Sequence, residues 1–324
     1  MRAVVCKEWC GPEDLVVEEM PPPPLIVGGV RIAVKAAGVN FADTLMIRGE
    51  YQVKPSRPFS PGLEIAGEVM ECASGVDRFK PGDRVMAIVH YGGYAAEAVT
   101  AVDNVYEISA SMDYVTAAAF PVAYGTSHIG LKEKLRLQSG EILLVHGAAG
   151  GVGLTAVELG KLLGATVIAT AGNPDKLLVA KQWGADYLID YRNEDIRVRV
   201  KEITDGRGAD AVYDPVGGNV FEASLRSTVQ RGRILVVGFA SGEVPQIPAN
   251  ILLVKNISVI GYYWGAHRTL DPGLVERSFK ELLTWYGEGR LKPHVSSVFD
   301  LTEVETAMAM LSGRKSTGKV VLTT

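Results

Sequence analysis

The stretch Glu-Ile-Leu-Leu-Val-His-Gly-Ala-Ala-Gly-Gly-Val-Gly-Leu at residues 141–154 constrains the fold more than any other part of the chain. An apolar run of strand length passes straight into a glycine cluster. The cluster opens a segment in which Val157, Leu159, Leu162 and Leu163 keep to one helical face. In the register Ala148-x-Gly150-x-x-Gly153 the turn is a dinucleotide fingerprint whose first glycine is replaced by alanine. Gly150 lets the backbone approach a pyrophosphate, and Gly153 lets helix and strand pack closely. Ala149, Gly150, Gly151, Val152 and Gly153 then form the cradle at the positive end of the helix, where unpaired N–H groups receive an anion.

The surroundings supply the context such a turn needs. Apolar or β-branched runs at 141–146, 166–170, 187–189, 211–213, 234–237 and 257–260 alternate with helical stretches. Strands apolar along most of their length predict a doubly wound parallel sheet buried on both faces, a Rossmann-type α/β domain over 124–264. Residues 1–123 instead show short β-rich runs, at 30–34, 65–70 and 84–89, between the turn signals Pro61-Gly62, Pro81-Gly82 and Gly92-Gly93. That pattern predicts an irregular β-barrel or sandwich. Residues 265–324 carry a helix marked by Val275, Phe279, Leu282 and Tyr286, a capping box from Thr302 to Glu305, and a final strand at 320–323. This tail is too short for a third domain, so it is expected to return to the N-terminal one. A chain of 324 residues suits two domains.

Composition narrows the partners. Thirty-three basic against 37 acidic side chains give a net charge of −4, which leaves no electrostatic footprint for nucleic acid or an anionic membrane. Three cysteines, Cys6, Cys10 and Cys72, and five histidines close neither a disulfide framework nor a zinc cage. The N-terminus Met-Arg-Ala-Val-Val-Cys-Lys is not a secretory signal and no 18-residue apolar run occurs, so a cytoplasmic protein with reduced thiols is expected. Gly313 to Lys319 fits the first seven positions of a P-loop, but Val320 follows where Ser or Thr is needed. His128 and His146 read as satisfied structural groups.

The second strand of the α/β domain selects the dinucleotide. An NAD-selective site needs a carboxylate at its end for the ribose 2′-OH, and the sequence there is Ile168-Ala-Thr-Ala-Gly172. Small residues leave room for a 2′-phosphate. Lys176 in the first turn of the next helix is its point-charge partner, and Asn173 caps that helix ahead of Pro174. Asp175 opposes this, although the helix dipole alone favours an acid there. A charged hydrogen bond would give roughly ten- to hundredfold preference for NADPH.

With this domain order, the motifs Gly38-Val-Asn-Phe-Ala-Asp43, Pro61-Gly-Leu-Glu-Ile-Ala-Gly67 and Gly82-Asp-Arg-Val85 make the chain resemble the medium-chain dehydrogenase/reductase superfamily over its whole length. Residues 45–51, 248–256, 263–265 and 314–319 carry a closer resemblance, to its zinc-free quinone oxidoreductase branch and the quinone oxidoreductase-like group within it. The resemblance implies a GroES-like β-barrel catalytic domain beside the Rossmann domain. In the zinc-dependent members a cysteine stands at the position of Asn40 and a histidine at that of Leu63, so no metal is expected. Oxidising a simple alcohol calls for a Lewis acid at the developing alkoxide. Reducing a quinone or an α,β-unsaturated carbonyl spreads the charge, and hydrogen-bond donors suffice.

Carried over position by position, the resemblance makes Asn40 and Tyr51 the catalytic candidates and Asp43 a buttress of the loop. Leu45 stands where zinc-free relatives often have a tyrosine. Thr126, Val216, Gly217, Phe239 and Tyr262 would line the nicotinamide side, mostly through backbone groups. Lys176 and Tyr191 would flank the 2′-phosphate, and Arg314 and Lys319 would reach cofactor phosphates. The expected activity is NADPH-dependent hydride transfer to a quinone or enone in a homodimer joined through the strand at 257–260. Two alternatives are an enoyl-thioester (acyl-CoA) reductase and a non-catalytic NADPH-binding protein.

Overall fold

In the computed structural model, which describes residues 1–324, the chain divides into two compact units. The first comprises Met1–Val122 and Phe279–Thr324; the second is Ala123–Ser278.

The first unit is built on one long strand. After the antiparallel pair β1 (Arg2–Val5) and β2 (Val16–Glu19) come β3 (Gly29–Val39), α1 (Phe41–Ile47), β4 (Glu64–Cys72), β5 (Arg84–Ile88), β6 (Glu97–Ala101), β7 (Val105–Glu107) and α2 (Tyr114–Ala118). β3 pairs antiparallel with β4 along most of its eleven residues, with irregularities between Arg31 and Ile32 and between Val34 and Ala36. Such bulges bend a strand. They fit β3's change of partner on its other edge, from β6 opposite Gly29 to Ala33 to the C-terminal strand opposite Ala36 to Val39. Ile32, Met46, Ile65, Val85 and Leu322 are all buried in the resulting core. Each such side chain contributes about 1.5–3 kcal/mol of apolar burial.

The second unit opens within α3 (Pro121–Ile129) and then alternates: β8 (Ile142–Val145), α4 (Gly151–Leu162), β9 (Thr166–Ala171), α5 (Pro174–Gln182), β10 (Tyr187–Asp190), α6 (Ile196–Ile203), β11 (Ala209–Asp214), α7 (Asn219–Ser227), β12 (Thr228–Val236), α8 (Ala249–Lys255), β13 (Ser258–Gly261) and α9 (Trp264–Leu270). All six strands are parallel, in the order β10-β9-β8-β11-β12-β13. The order in which strands are added therefore reverses between β8 and β11, the switch point outside whose carboxyl ends open α/β sheets bind ligands. Leu144, Ile168, Ile189, Val212 and Ile234 are buried in it, as the apolar runs require.

The chain returns through α10 (Pro272–Gly287), β14 (Val295–Asp300), α11 (Val304–Ser312) and β15 (Lys319–Thr323), which pairs with both β14 and β3. Two sequence readings are corrected here. The return begins at Phe279 and not at 265: the second unit extends to Ser278, whose hydroxyl lies 2.8 Å from His128 of α3. The capping box before α11 is Asp300 with Glu303: Asp300 accepts from the Thr302 N–H, and Glu303 accepts from that of Asp300. No helix is long and apolar enough to cross a membrane.

Candidate functional site

The glycine turn after β8 is closed by Gly147, one residue ahead of the fingerprint register. Gly147 has φ +56°, a conformation that costs glycine nothing, and its carbonyl accepts from the Gly150 N–H at 2.9 Å. Ala148 therefore needs no special geometry; it is buried and donates its N–H to the Thr170 carbonyl. A Cβ on Gly153 would lie 2.1 Å from the Gly147 carbonyl oxygen, so this position admits no side chain. Gly150 caps α4, and Gly151, Val152 and Gly153 form its first turn, where backbone N–H groups have no carbonyl four residues back. These features fit a pyrophosphate at the helix N-terminus.

The next strands bring the residues expected at the adenosine end close to one another. β9 runs out at Ala171 and Gly172 with no carboxylate, and Asn173 caps α5 by accepting from the Lys176 N–H at 2.9 Å. In-register pairing of β10 with β9 brings the following turn alongside, through the Tyr191 N–H to the Ala171 carbonyl at 3.2 Å. The Tyr191 hydroxyl and the Arg192 side chain then converge on Gly172, where a Cβ would sit 2.7 Å from the hydroxyl and 3.3 Å from Arg192 Nε. Arg192 was not among the residues singled out from sequence. The missing carboxylate at the end of β9 was the signal that could have drawn attention to it.

Asp214 organises the far side of the switch point. Its Oδ1 accepts from the N–H groups of Val216 and Gly217 at 2.8 and 3.0 Å, and the Val216 carbonyl accepts from Ser241. The Val216 N–H is thereby engaged, its carbonyl keeps one lone pair, and the Phe239 ring covers Gly217. Oδ2 of Asp214 is buried and has no hydrogen-bond partner. Thr126 and Tyr262 are joined directly, the phenol donating to the Thr126 carbonyl at 3.0 Å. Burial raises the Tyr262 pKa well above its ordinary value, so the phenol stays protonated. His146 is held between the Thr170 and Ser224 hydroxyls at 2.9 and 2.7 Å, with its pKa lowered by burial. Ser278 lies 2.8 Å from His128. With both ring nitrogens engaged, His146 has the setting of a satisfied structural group.

In the first unit the Asn40 position is a buried polar cluster. Lys319 Nζ donates to the Val39 carbonyl at 2.9 Å, to Asn40 Oδ1 at 2.8 Å and to Glu64 Oε1 at 2.7 Å. An ammonium has three protons and all three are used. Lys319 is thus corrected from a phosphate ligand to an internal cation. The Asn40 amide donates to Glu64 at 2.9 Å and to the Gly38 carbonyl at 3.3 Å, so it offers no free proton to a substrate oxygen. Asp43 accepts from the Asn40 N–H at 2.8 Å and from the Tyr94 hydroxyl at 2.7 Å, and its Oδ1 is buried without a partner. Burial pushes its carboxyl up to about 7, against the lowering effect of those two donors. Tyr51 is half-buried against the core of this unit, and Arg314 is exposed on the turn before β15. Glu64 and Tyr94 were missed from sequence because nothing local marks their partners.

Residues 27–124 match the family described as "Alcohol dehydrogenase GroES-like domain", and residues 151–284 match "Zinc-binding dehydrogenase". The "Quinone oxidoreductase-like protein 2 homolog" of Nematostella vectensis is 46 % identical over 327 residues, covering 100 % of this chain and 89 % of the relative. The quinone oxidoreductase of Pseudomonas aeruginosa is 35 % identical over 96 % of each chain. The crystal structure of Escherichia coli quinone oxidoreductase complexed with NADPH superposes with a TM-score of 0.94 at 31 % identity, covering 100 % of both chains. Zinc, which the second family description implies, does not fit the residues present. Asn40 and Leu63 offer a carboxamide and an alkyl group, an ammonium donates into Glu64, and no three His, Cys, Asp or Glu side chains converge.

Proposed function

Because the chain belongs to the quinone oxidoreductase branch of the medium-chain dehydrogenase/reductase superfamily, we propose that it is an NADPH-dependent oxidoreductase that transfers a hydride to a quinone or an α,β-unsaturated carbonyl without a metal ion. The observation that carries the reaction class is the Lys319–Glu64–Asn40 cluster. It puts an ammonium, a carboxylate and a carboxamide where a Lewis-acid mechanism would need metal ligands. A conjugated acceptor delocalises the incoming negative charge and needs only donors near its oxygen.

The cofactor reading rests on the second unit. NADPH supplies the hydride when bound. The α4 N-terminus and Ala149 to Gly153 would hold its pyrophosphate, Lys176, Asn173 and Tyr191 its 2′-phosphate, and Thr126, Val216, Gly217, Phe239 and Tyr262 the nicotinamide side. Arg314 is assigned to the cofactor phosphates, and Tyr51 is assigned as the phenolic donor to the acceptor. Asn40 shapes the start of α1 through its N–H bond to Asp43.

The protein is also assigned as a homodimer. β13 has an unpaired edge, and α8, which packs on β12, presents Leu253 and Val254 to solvent. The activity is tested by stopped-flow oxidation of NADPH against a panel of quinones and alkenals with a chelator present. Turnover that survives chelation supports the reading, and turnover that needs an added divalent ion refutes it.

A further inference from the structure

We propose that Arg192 is a specificity-determining residue of the second unit, the guanidinium that together with Lys176 selects a ribose 2′-phosphate. The inference rests on the NADPH reading above and extends it to a residue that reading does not use. Parallel pairing of β9 with β10 sets the turns that follow them side by side, so Gly172 and Asn173 face Tyr191 and Arg192. Arg192 Nε stands 3.3 Å from where a Cβ on Gly172 would lie, and the Tyr191 hydroxyl stands 2.7 Å from it. Any side chain at 172 would therefore displace the phenol and crowd the guanidinium.

The backbone of Arg192 is fixed while its side chain is not spent. Asp190 Oδ1 accepts the Arg192 N–H at 3.1 Å, its Oδ2 accepts from the Asn193 amide at 2.8 Å, and the Asp190 carbonyl accepts from Asn193 and Glu194. Glu194, the other nearby acid, is paired with Arg199 at 2.7 Å and also accepts from the Asp190 N–H. The neighbouring carboxylates are thus already satisfied, and the exposed Arg192 guanidinium forms no ion pair.

Local charge favours a second cation. Asp175 and Lys176 are successive residues in the first turn of α5, so the acid offsets part of the lysine's attraction for a phosphate. A dianionic phosphate there gains further from a second positive group. Arg192 restores a net positive charge, and its planar fork can take two phosphate oxygens at once, which a lysine ammonium cannot do in the same geometry.

Binding of 2′,5′-ADP and of 5′-ADP, measured by titration calorimetry, separates this proposal from the one beneath it and needs no turnover. The wild type is expected to prefer 2′,5′-ADP. Arg192→Ala should weaken 2′,5′-ADP about ten- to hundredfold and change 5′-ADP less than about twofold, with Arg192→Lys intermediate. Raising salt should narrow the wild-type preference. A wild type indifferent to the 2′-phosphate overturns the NADPH reading. A wild type that prefers it, with Arg192→Ala unchanged, overturns the role of Arg192 alone. The side chain is exposed, so the alanine variant is expected to fold as the wild type does, which far-ultraviolet circular dichroism checks.

Discussion

Replacing Lys319 by methionine keeps most of the side-chain volume and removes one charge from a site with almost no water. Three hydrogen bonds are lost, to the Val39 carbonyl, Asn40 Oδ1 and Glu64 Oε1. Glu64, which is 0 % exposed, keeps the Val122 N–H at 2.7 Å and the Asn40 amide at 2.9 Å, but no cation. Breaking a buried pair from one side costs about 3–5 kcal/mol. With two donors remaining on the carboxylate, the low end applies, about 3 kcal/mol. For a domain of this size each kcal/mol moves Tm by about 2–4 °C, so the variant should melt roughly 10 °C lower. Adding Glu64→Gln removes the stranded charge and leaves an amide that accepts from Val122 and, once the Asn40 carboxamide turns its freed Oδ1 toward it, donates to Asn40. The double variant should then recover to within about 1–2 kcal/mol of wild type. Scanning calorimetry of the wild type, both single variants and the double variant closes the cycle. A single-variant loss below about 1 kcal/mol, or a double variant as unstable as the sum of the singles, would refute the account of this cluster.

Three other predictions concern separate parts of the molecule. Gly153→Ala places a Cβ against the Gly147 carbonyl, so the turn must open; NADPH affinity, read by nicotinamide fluorescence, should fall at least about tenfold, and an unchanged Kd contradicts the turn's role. Asp43 binds its proton up to about pH 7 in the folded chain, against a value of 3.8 without the fold. Its contribution to stability is therefore full below about pH 4 and is lost as pH rises toward 7, by up to about 4 kcal/mol. The difference in urea stability between wild type and Asp43→Asn should shift in that direction over the interval, and a pH-independent difference counts against the raised carboxyl. Leu253→Glu with Val254→Glu, both exposed on α8, should convert a dimer to a monomer in light scattering. A monomeric wild type would exclude the assembly.

The parts of this fold legible in the sequence are those encoded by neighbours in the chain. Strand runs such as 166–170, the Asn173-Pro174 cap and the glycine turn are short-range patterns, and each forms where the residues place it. The identity of the glycine that bends was less accessible. The fingerprint register pointed to position 148, but backbone freedom was needed at Gly147, and only the hydrogen bond from Gly150 shows this. Lys319 was misjudged because its partner Glu64 lies 255 residues away, across the whole second unit, and no periodicity reports such a pairing. The family resemblance carried it over as a cation reaching cofactor phosphates. The strand pairing of β15 with β3 instead carries it into the core. Arg192 had the opposite difficulty: it is exposed, and only the parallel register of β10 on β9 brings it to Gly172.

The central claim is hydride transfer from NADPH to a conjugated acceptor, and isotope tracing tests it most directly. An alkenal supplied with NADPH deuterated at the transferring C4 position, in the presence of chelator, should yield a saturated aldehyde with one deuterium on the β-carbon and a solvent proton on the α-carbon. Mass spectrometry of the product reads both positions. Product bearing no deuterium, or an allylic alcohol with deuterium on its carbinol carbon, would contradict the account.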